Sequence, residues 1–357
     1  MLVILKKKNF YNSFYILFFL LIIIFNKFST TEVKANSYKI ENLQISKPYN
    51  NNFDKKIVID SAFTKAFEIL IYRITTLDNK EVKKLINLKK IYELVESFSI
   101  IDEKFINSQY ISNFNVEFNK KNLFNFLEKK NIFPSIPKEK TLLLIPILIN
   151  IDDKQALLFS ENLFYKNWNK FEENYFLLKY ILPNEDIEDI NFIKKNINNI
   201  EEYNFKEIIS KYAIEDYIIL ILFQKKDEIK ILSKTNLNDN LIITNKSFEI
   251  QDTEYIEKII KKLKIEFENQ WKKLNIINVS IKLPITLKVN SENYNLINIL
   301  EKKLYDLDLV SSYYVDSFSS EEVIFKVIYN GTPDRFISDF YTSGLKLNTE
   351  SSIWSIE

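Results

Sequence analysis

The chain of 357 residues contains no histidine and no cysteine, and it has only two glycines, Gly331 and Gly344. Without histidine there is no imidazole base for a serine or cysteine triad, and without cysteine there is no thiolate nucleophile, no Cys/His zinc site and no iron–sulfur ligation. The phosphate-binding loops G-x-G-x-x-G and G-x-x-x-x-G-K-[ST] need several glycines close together. We therefore predict no catalytic, cofactor-binding or metal-ligating residue, and no cofactor.

Abundant Ile, Lys, Asn, Phe and Tyr, including 29 Phe and 20 Tyr, are what an AT-rich coding sequence produces whatever the function. Such a bias accounts for part of the shortage of glycine. A catalytic histidine or a phosphate-binding glycine does not tolerate replacement, so the absence of these residues still argues against the mechanisms that need them.

The N-terminus has the layout of a secretory signal peptide. Residues 6–8 are lysines, an uninterrupted apolar stretch covers residues 14–25, and Val33 and Ala35 suit the signal peptidase. We therefore predict cleavage after Ala35 and a mature chain that begins at Asn36. The 12 apolar residues span roughly 18 Å as a helix, which is shorter than the roughly 30 Å hydrocarbon core. The alternative is that residues 14–25 remain uncleaved and anchor the chain in the inner membrane.

Export changes the expected partners. The whole chain carries 49 Lys and Arg against 48 Asp and Glu, and loss of a signal peptide with five Lys and one Glu leaves about −3. We predict a periplasmic protein that binds an envelope protein or another envelope component. Nucleic acid is not an expected partner, because neither the net charge nor the compartment favours it. Membrane contact is expected only through the N-terminal segment, if it is uncleaved.

Hydrophobic periodicity predicts an α+β fold in three modules. The predicted divisions are a signal peptide at 1–35, an N-terminal α/β module at 36–140, an α/β domain with a mixed sheet at 141–277, and a ferredoxin-like module of order β-α-β-β-α-β at 278–357.

In the N-terminal module the clearest predicted element is a helix capped by Ser61, whose apolar face ends at Arg73. The Arg73 guanidinium is expected to hold a carboxylate or the last carbonyls of that helix. The other predicted elements are strands at 38–45 and 110–118 and helices at 88–97 and 121–130.

The run Ala62-Phe63-x-x-Ala66-Phe67, continuing through Leu70 to Arg73-Ile74-Thr75, resembles the DUF2066 family of exported bacterial proteins of unknown function. The resemblance covers mainly residues 38–220 and includes Val116-x-Phe118, Leu123, Leu127 and Leu182-Pro183-x-x-Asp186-Ile187-Glu188-Asp189. The chain departs from the family after Phe133, where Ile136-Pro137-Lys138 replaces a Trp and an Arg-Pro pair. The family has no established catalytic residues, so the resemblance implies an envelope location and little chemistry.

The α/β domain is predicted to alternate strands and helices before one long helix. Its predicted strands are 141–149, 175–182, 217–223, 228–233 and 241–250, and its predicted helices are 164–171, 205–212 and a five-turn helix capped by Asp252 or Thr253. The last module is predicted as strand 279–289, helix 294–305, strands 309–318 and 322–329, helix 333–341 and strand 345–349. In it Thr332 and Pro333 should begin a helix and Gly344 should supply a left-handed exit.

The densest acidic cluster consists of Glu185, Asp186, Glu188 and Asp189. A calcium site or an acid/base pair is one interpretation of it. The favoured interpretation is the first turn of a helix, where acids meet the positive end of the helix dipole, because the spacing matches no calcium loop. Asp152-Asp153 is predicted to form a hairpin turn.

Two further patterns have ordinary explanations. Ser210-Lys211 and Ser233-Lys234 preserve the residue types of serine–lysine catalysis, but side chains of adjacent strand residues point to opposite faces.

The long helix carries four lysines that suggest a membrane surface, with Trp271 as anchor. Four acids interleave with them, which favours a solvated face with i,i+4 pairs. The lysines are Lys258, Lys261, Lys262 and Lys264, and the acids are Glu254, Glu257, Glu266 and Glu268.

These observations predict a non-catalytic binding or adaptor protein of the cell envelope. One alternative is an envelope hydrolase that uses paired carboxylates, since that chemistry needs neither His nor Cys. The other is a membrane-tethered subunit that retains its N-terminal helix.

Overall fold

Three β-sheets, each with its own apolar core, organise the residues that the computed structural model describes, which are 38–250, 254–342 and 344–356. Helices and mixed sheets occur together, which confirms the α+β class. The predicted signal peptide and the predicted caps Asp252 and Thr253 lie outside the described residues. Within the described ranges, no helix combines the length and the apolar character needed to span a bilayer.

The first sheet is antiparallel, with strand order β1-β3-β2. Its module contains the following elements: β1 Lys39–Pro48, α1 Lys55–Ile74, α2 Asn79–Leu85, α3 Leu88–Leu94, β2 Val95–Ile106, β3 Gln109–Phe118 and α4 Lys120–Glu128. Alternate residues of β3 are buried against the long helix α1, which itself buries Ala62, Phe63, Ala66 and Phe67.

Two predictions for this module are wrong in detail. Helix α1 begins at Lys55 under an Asp54 cap, and Ser61 lies inside the helix, where its hydroxyl donates to the Ile57 carbonyl. The predicted helix 88–97 ends at Leu94, because from Val95 the backbone is extended and pairs with β3. Strand β2 was therefore not anticipated, although it forms one edge of the sheet.

The second sheet is mixed, with strand order β5-β4-β7-β8-β9 and β6 beside β4. Its module contains β4 Lys140–Asn150, β5 Gln155–Leu157, α5 Leu163–Asn167, β6 Leu178–Ile181, α6 Ile187–Lys195, α7 Lys206–Ile209, β7 Tyr217–Lys225, β8 Glu228–Leu237, β9 Asn240–Glu249 and α8 Tyr255–Leu274. Strand β4 pairs in parallel with β6 and β7 and is buried on both faces. Helix α8 covers one face of the sheet, and α6 and α7 cover the other.

The third sheet has the strand order β11-β12-β10-β14-β13, with β10 and β14 parallel. Its module contains β10 Leu283–Asn290, α9 Tyr294–Asp306, β11 Val310–Phe318, β12 Glu322–Tyr329, α10 Pro333–Tyr341, β13 Leu347–Asn348 and β14 Trp354–Ile356. The predicted order β-α-β-β-α-β holds as far as α10, but two short strands follow that helix. Strand β14, which lies beside β10, runs parallel to it, whereas the fourth strand of a ferredoxin-like sheet runs antiparallel to the first. The predicted last strand, 345–349, supplies only the two-residue edge strand β13.

Both glycines meet local geometric needs in this module. Gly344 has φ +80°, the left-handed conformation predicted for it. A Cβ on Gly331 would lie 2.6 Å from Cε1 of the buried Tyr329 ring, so this position needs glycine for close packing. Thr332 caps α10 and Pro333 occupies its first turn, as predicted.

Candidate functional site

The acidic cluster lies at the start of α6, as predicted. Asp186 is the N-cap and accepts from the Glu188 amide at 2.8 Å. The Lys211 ammonium donates to Asp186 Oδ2 at 2.6 Å and to the buried Asp189 Oδ1 at 2.7 Å. These hydrogen bonds raise the pKa of Lys211 and lower that of Asp186. An ammonium group thus occupies the place between the carboxylates that a bound cation would take.

Other acids of interest also have structural contacts. Asp152 and Asp153 form the predicted turn between β4 and β5, where the Asn150 side chain accepts from the Asp152 amide and donates to Asp153 Oδ2. Among the residues that the structure describes, no group of three or more acids is arranged to hold a metal ion.

Neither serine–lysine pair forms a catalytic contact in this structure. The Ser233 hydroxyl lies 2.6 Å from the hydroxyl of Thr244 on the neighbouring strand, while Lys234 Nζ approaches the Tyr203 carbonyl at 3.4 Å. Ser210 donates to the Glu207 carbonyl. Each serine therefore bonds to a group other than the lysine that follows it.

The long helix α8 agrees with prediction on its outer face only. Lys258 and Lys261 pair with Glu254 and Glu257 one turn earlier, with N–O distances of 3.9 and 2.8 Å. The expectation of a solvated face is wrong for Lys264 and Glu268, which are each only 1% exposed.

Lys264, Glu268 and Lys272 follow one another at intervals of one turn along the buried side of α8, and we call them the charged ladder. Glu268 Oε1 accepts from the amides of Leu177 and Leu178 at 2.9 and 2.7 Å. Its two lysine neighbours also bind backbone: Lys264 Nζ donates to the Phe171 carbonyl at 2.8 Å and Lys272 Nζ to the Tyr72 carbonyl at 2.5 Å.

Aromatic rings surround one end of the ladder. Lys264 Nζ lies 5.2 Å from the Tyr180 ring centroid, 5.8 Å from that of Trp168 and 5.9 Å from that of Phe176. Cation–π attraction compensates part of the cost of removing this ammonium from water.

Burial dominates the protonation of the ladder. It lowers the pKa of Lys264 to about 8 and that of Lys272 to about 8, despite the attraction of Glu268. It also raises the pKa of Glu268, against the hydrogen bonds from Leu178 and Leu177 and the attraction of Lys272. The ladder is therefore held in place by backbone hydrogen bonds in an environment that disfavours charge.

The ladder joins α8 both to the rest of the second module and to the first module. It binds the segment before β6 and the carbonyl of Tyr72 near the end of α1. Arg73 also binds this segment, through two hydrogen bonds to the Asn174 carbonyl at 2.7 and 3.3 Å. The prediction that Arg73 holds a carboxylate or the last carbonyls of its own helix is therefore wrong, because the carbonyl that it binds belongs to another module.

Strand β2 presents a surface of a different kind. Phe98, Ile101, Phe105 and Ile106 are 45%, 53%, 60% and 50% exposed, and we call them the apolar edge. Within the described chain β2 pairs only with β3, so its other side carries a row of backbone groups that no strand covers.

The apolar edge is supported from one side by its own module. The Phe98 ring packs on Phe63 of α1 with centroids 5.1 Å apart, and Phe105 packs on Tyr49 at 4.8 Å and on Tyr110 at 5.2 Å. These contacts hold the aromatic residues in place while leaving about half of each ring open to solvent.

Three of the four charged residues on β2 form ion pairs. Glu103 forms an ion pair with Lys55 at 2.6 Å and accepts from the Tyr110 hydroxyl, while Asp102 pairs with Lys104 at 2.6 Å. Because these charges are balanced locally, the feature that β2 offers to another molecule is apolar.

Edge strands of the other two sheets also expose large apolar side chains, although fewer on each strand. Strand β9 exposes Leu241 and Ile243, and β11 exposes Tyr314, Val315 and Phe318. The sequence signal for the apolar edge is the apolar-rich run from Phe98 to Ile106, which directly follows the predicted helix 88–97.

Comparison with known proteins gives no family. No family model matches the chain. The RecBCD enzyme subunit RecC of Buchnera aphidicola subsp. Acyrthosiphon pisum (strain APS) is 29% identical over 177 residues, which cover 42% of this chain and 15% of RecC. A crystal structure of an uncharacterized protein is similar over 38% of this chain and 91% of its own, with 7% identity and a TM-score of 0.16. The resemblance to DUF2066 stays a prediction.

Proposed function

We propose that this chain is an exported, non-catalytic adaptor of the cell envelope, which binds an extended segment of a partner protein along strand β2. The observation that supports this function is the apolar edge: four large apolar side chains, each about half exposed, on a strand whose outer side is unpaired in the described chain. Exposed apolar surface of this kind is typical of interaction sites.

Addition of a strand suits the chemistry of β2. A partner backbone would satisfy the bare amide and carbonyl groups, and its alternate side chains would cover the apolar edge. The register between β2 and β3 shifts between Ile100 and Asp102 and is then regular from Asp102 to Ile106. Since such an irregularity bends a strand, we expect the partner to pair with residues 102–106.

Photocrosslinking in cells tests this proposal. A photoreactive phenylalanine analogue at Phe105 is expected to give a discrete adduct with a partner protein. The matched control carries the analogue at Tyr341 of α10, which is 71% exposed but lies outside β2. The substitution Ile106→Lys should weaken the Phe105 adduct, because a charged side chain on an edge strand disfavours the addition of another strand. Equal adducts from Phe105 and Tyr341, or no adduct from Phe105, would contradict the proposal.

The proposed location has a separate test. Cell fractionation with mass measurement of the N-terminus is expected to find a chain that begins at Asn36 in the periplasmic fraction. An intact Met1 in the membrane fraction would support the tethered alternative, and an intact Met1 in the cytosol would contradict export.

A further inference from the structure

A pocket of about 390 Å³ opens between helix α4 and the third module. One side is a single face of α4, and the other side comes from the segment before β10 and from the start of β11. The lining residues that matter for its chemistry are Lys121, Phe124, Asn125, Lys282, Tyr313 and Tyr314. This volume falls in the range of about 300–1,000 Å³ that is usual for small-molecule sites.

The wall formed by the segment before β10 is held by side-chain bonds. Asn330 is 4% exposed, and its amide nitrogen donates to the carbonyls of Val279 and Ile281, at 3.3 and 2.7 Å. Lys282 reaches across to α4 and pairs with Glu128 at 2.9 Å. The pocket therefore exists before any ligand binds.

The wall formed by β11 is fixed in a similar way. Lys120 of α4 donates to the Leu307 carbonyl just before β11, at 2.8 Å. Ser311 lies where the register between β11 and β12 shifts, and its hydroxyl donates to the Ile328 carbonyl at 3.2 Å. Irregularities of this kind redirect side chains and often occur beside functional sites.

The lining has an apolar floor and, as far as the described residues show, one cation without an ion pair. Phe124 and Val279 are buried beneath the opening, and the exposed Tyr314 ring stands at its rim. Lys282 is neutralised by Glu128, whereas Lys121 has no ion pair among the described residues. A complementary ligand has an apolar body and a single negative group.

We propose that this pocket binds a small amphipathic anion, with one or two rings or a short aliphatic chain as its body and a carboxylate or sulfonate placed against Lys121. The site is separate from the apolar edge, so it adds a second binding activity that does not depend on strand addition at β2.

The test uses the full chain and two fluorescent probes. Anilinonaphthalene sulfonate has an aromatic body and one anionic group, and phenylnaphthylamine has a closely similar body without the charge. We expect saturable binding of the sulfonate, weakened by up to about fivefold by Lys121→Gln, since this removes one charge interaction. Lys129→Gln is the matched control, because Lys129 is an exposed lysine next to α4 that does not line the pocket. Phenylnaphthylamine binding should be unaffected by either change.

Two further variants separate the pocket from the rest of the surface. Asn125→Trp fills the pocket and should abolish binding of both probes, while Phe105→Ser alters the apolar edge and should leave pocket binding intact. If Asn125→Trp does not fold, Tyr314→Ala takes its place. This variant removes the exposed ring at the rim of the pocket and should weaken the binding of both probes. Sulfonate binding that is unchanged by Lys121→Gln, or reduced equally by Lys129→Gln, would overturn the proposal.

Discussion

Helix α8 and strand β2 distribute polar and apolar side chains in opposite ways. The helix places Lys264, Glu268 and Lys272 in the interior, whereas the strand exposes Phe98 and its apolar neighbours to solvent. Each of these buried charged groups bonds to backbone groups of the same chain, and through these bonds the ladder joins the first two modules. The exposed apolar side chains of β2 are only partly covered by their own module. This uncovered apolar surface is the reason that we propose a binding role for β2 and a structural role for the charged ladder.

Loss of the central carboxylate should give the largest effect on stability. Glu268→Ala removes the acceptor for two buried amides and the negative charge that attracts both buried lysines. We expect the free energy of unfolding to fall by about 3–5 kcal/mol, as when one partner of a buried charged group is removed. Denaturant unfolding monitored by circular dichroism measures this change.

A matched control lies on the outer face of the same helix. Glu257→Ala removes the exposed partner of Lys261 and should leave the unfolding midpoint almost unchanged. Equal effects of the two substitutions on the unfolding midpoint would show that the charged ladder does not stabilise the folded chain.

The ladder also predicts how stability depends on pH. The pKa values of Lys264 and Lys272 are about 8 in the folded chain and 10.5 ordinarily. Between these values the unfolded chain binds protons that the folded chain has released, so the free energy of unfolding should rise with pH. Each of the two lysines contributes roughly 2 kcal/mol over this range, so together they should raise the free energy of unfolding by on the order of 4 kcal/mol from pH 7.5 to 9.5. Glu268, whose pKa is raised, acts in the opposite sense at lower pH.

Denaturant titrations at several pH values measure this slope. The double variant Lys264→Met/Lys272→Met should make the dependence of the free energy of unfolding on pH less steep. Part of the dependence should remain, because burial lowers the pKa of Lys120 to about 8 as well. A stability that falls between pH 8 and 9.5 in the native sequence would contradict the assigned burial of these ammonium groups.

A substitution on the strand should have a much smaller effect on stability. Phe105 is 60% exposed, so Phe105→Ser is expected to change the free energy of unfolding by less than about 1 kcal/mol. The same change should eliminate adducts from an analogue placed at Ile101. A loss of stability comparable to that of Glu268→Ala would mean that the apolar edge belongs to the core and is not free for a partner.

The sequence predicted elements well where one face is strongly apolar. The limits of β12 and α10 were found, as was the cap at Thr332, because alternation, helical periodicity and capping chemistry agree there. The position of the acidic cluster at the start of a helix was also predicted correctly, although the cap formed by Asp186 was not predicted. These features depend on residues within a turn or two of one another.

What the sequence could not show depends on distant contacts. Lys264 and Glu268 look like members of an exposed helix face until Phe171 and Leu177 supply backbone partners. Their position directly after the buried residues Leu263 and Phe267 was the only local indication. Strand β2 was missed because its partner β3 decides its conformation, and the four exposed apolar side chains do not alternate as on a half-buried strand.

Hydrogen exchange of the β2 amides tests the central claim most directly. With the partner captured at Phe105 purified and added to the native chain, amides in residues 102–106 should become protected, while those of the exposed edge strand β9 should not. Protection of β9 with no change in residues 102–106 would contradict strand addition at the apolar edge.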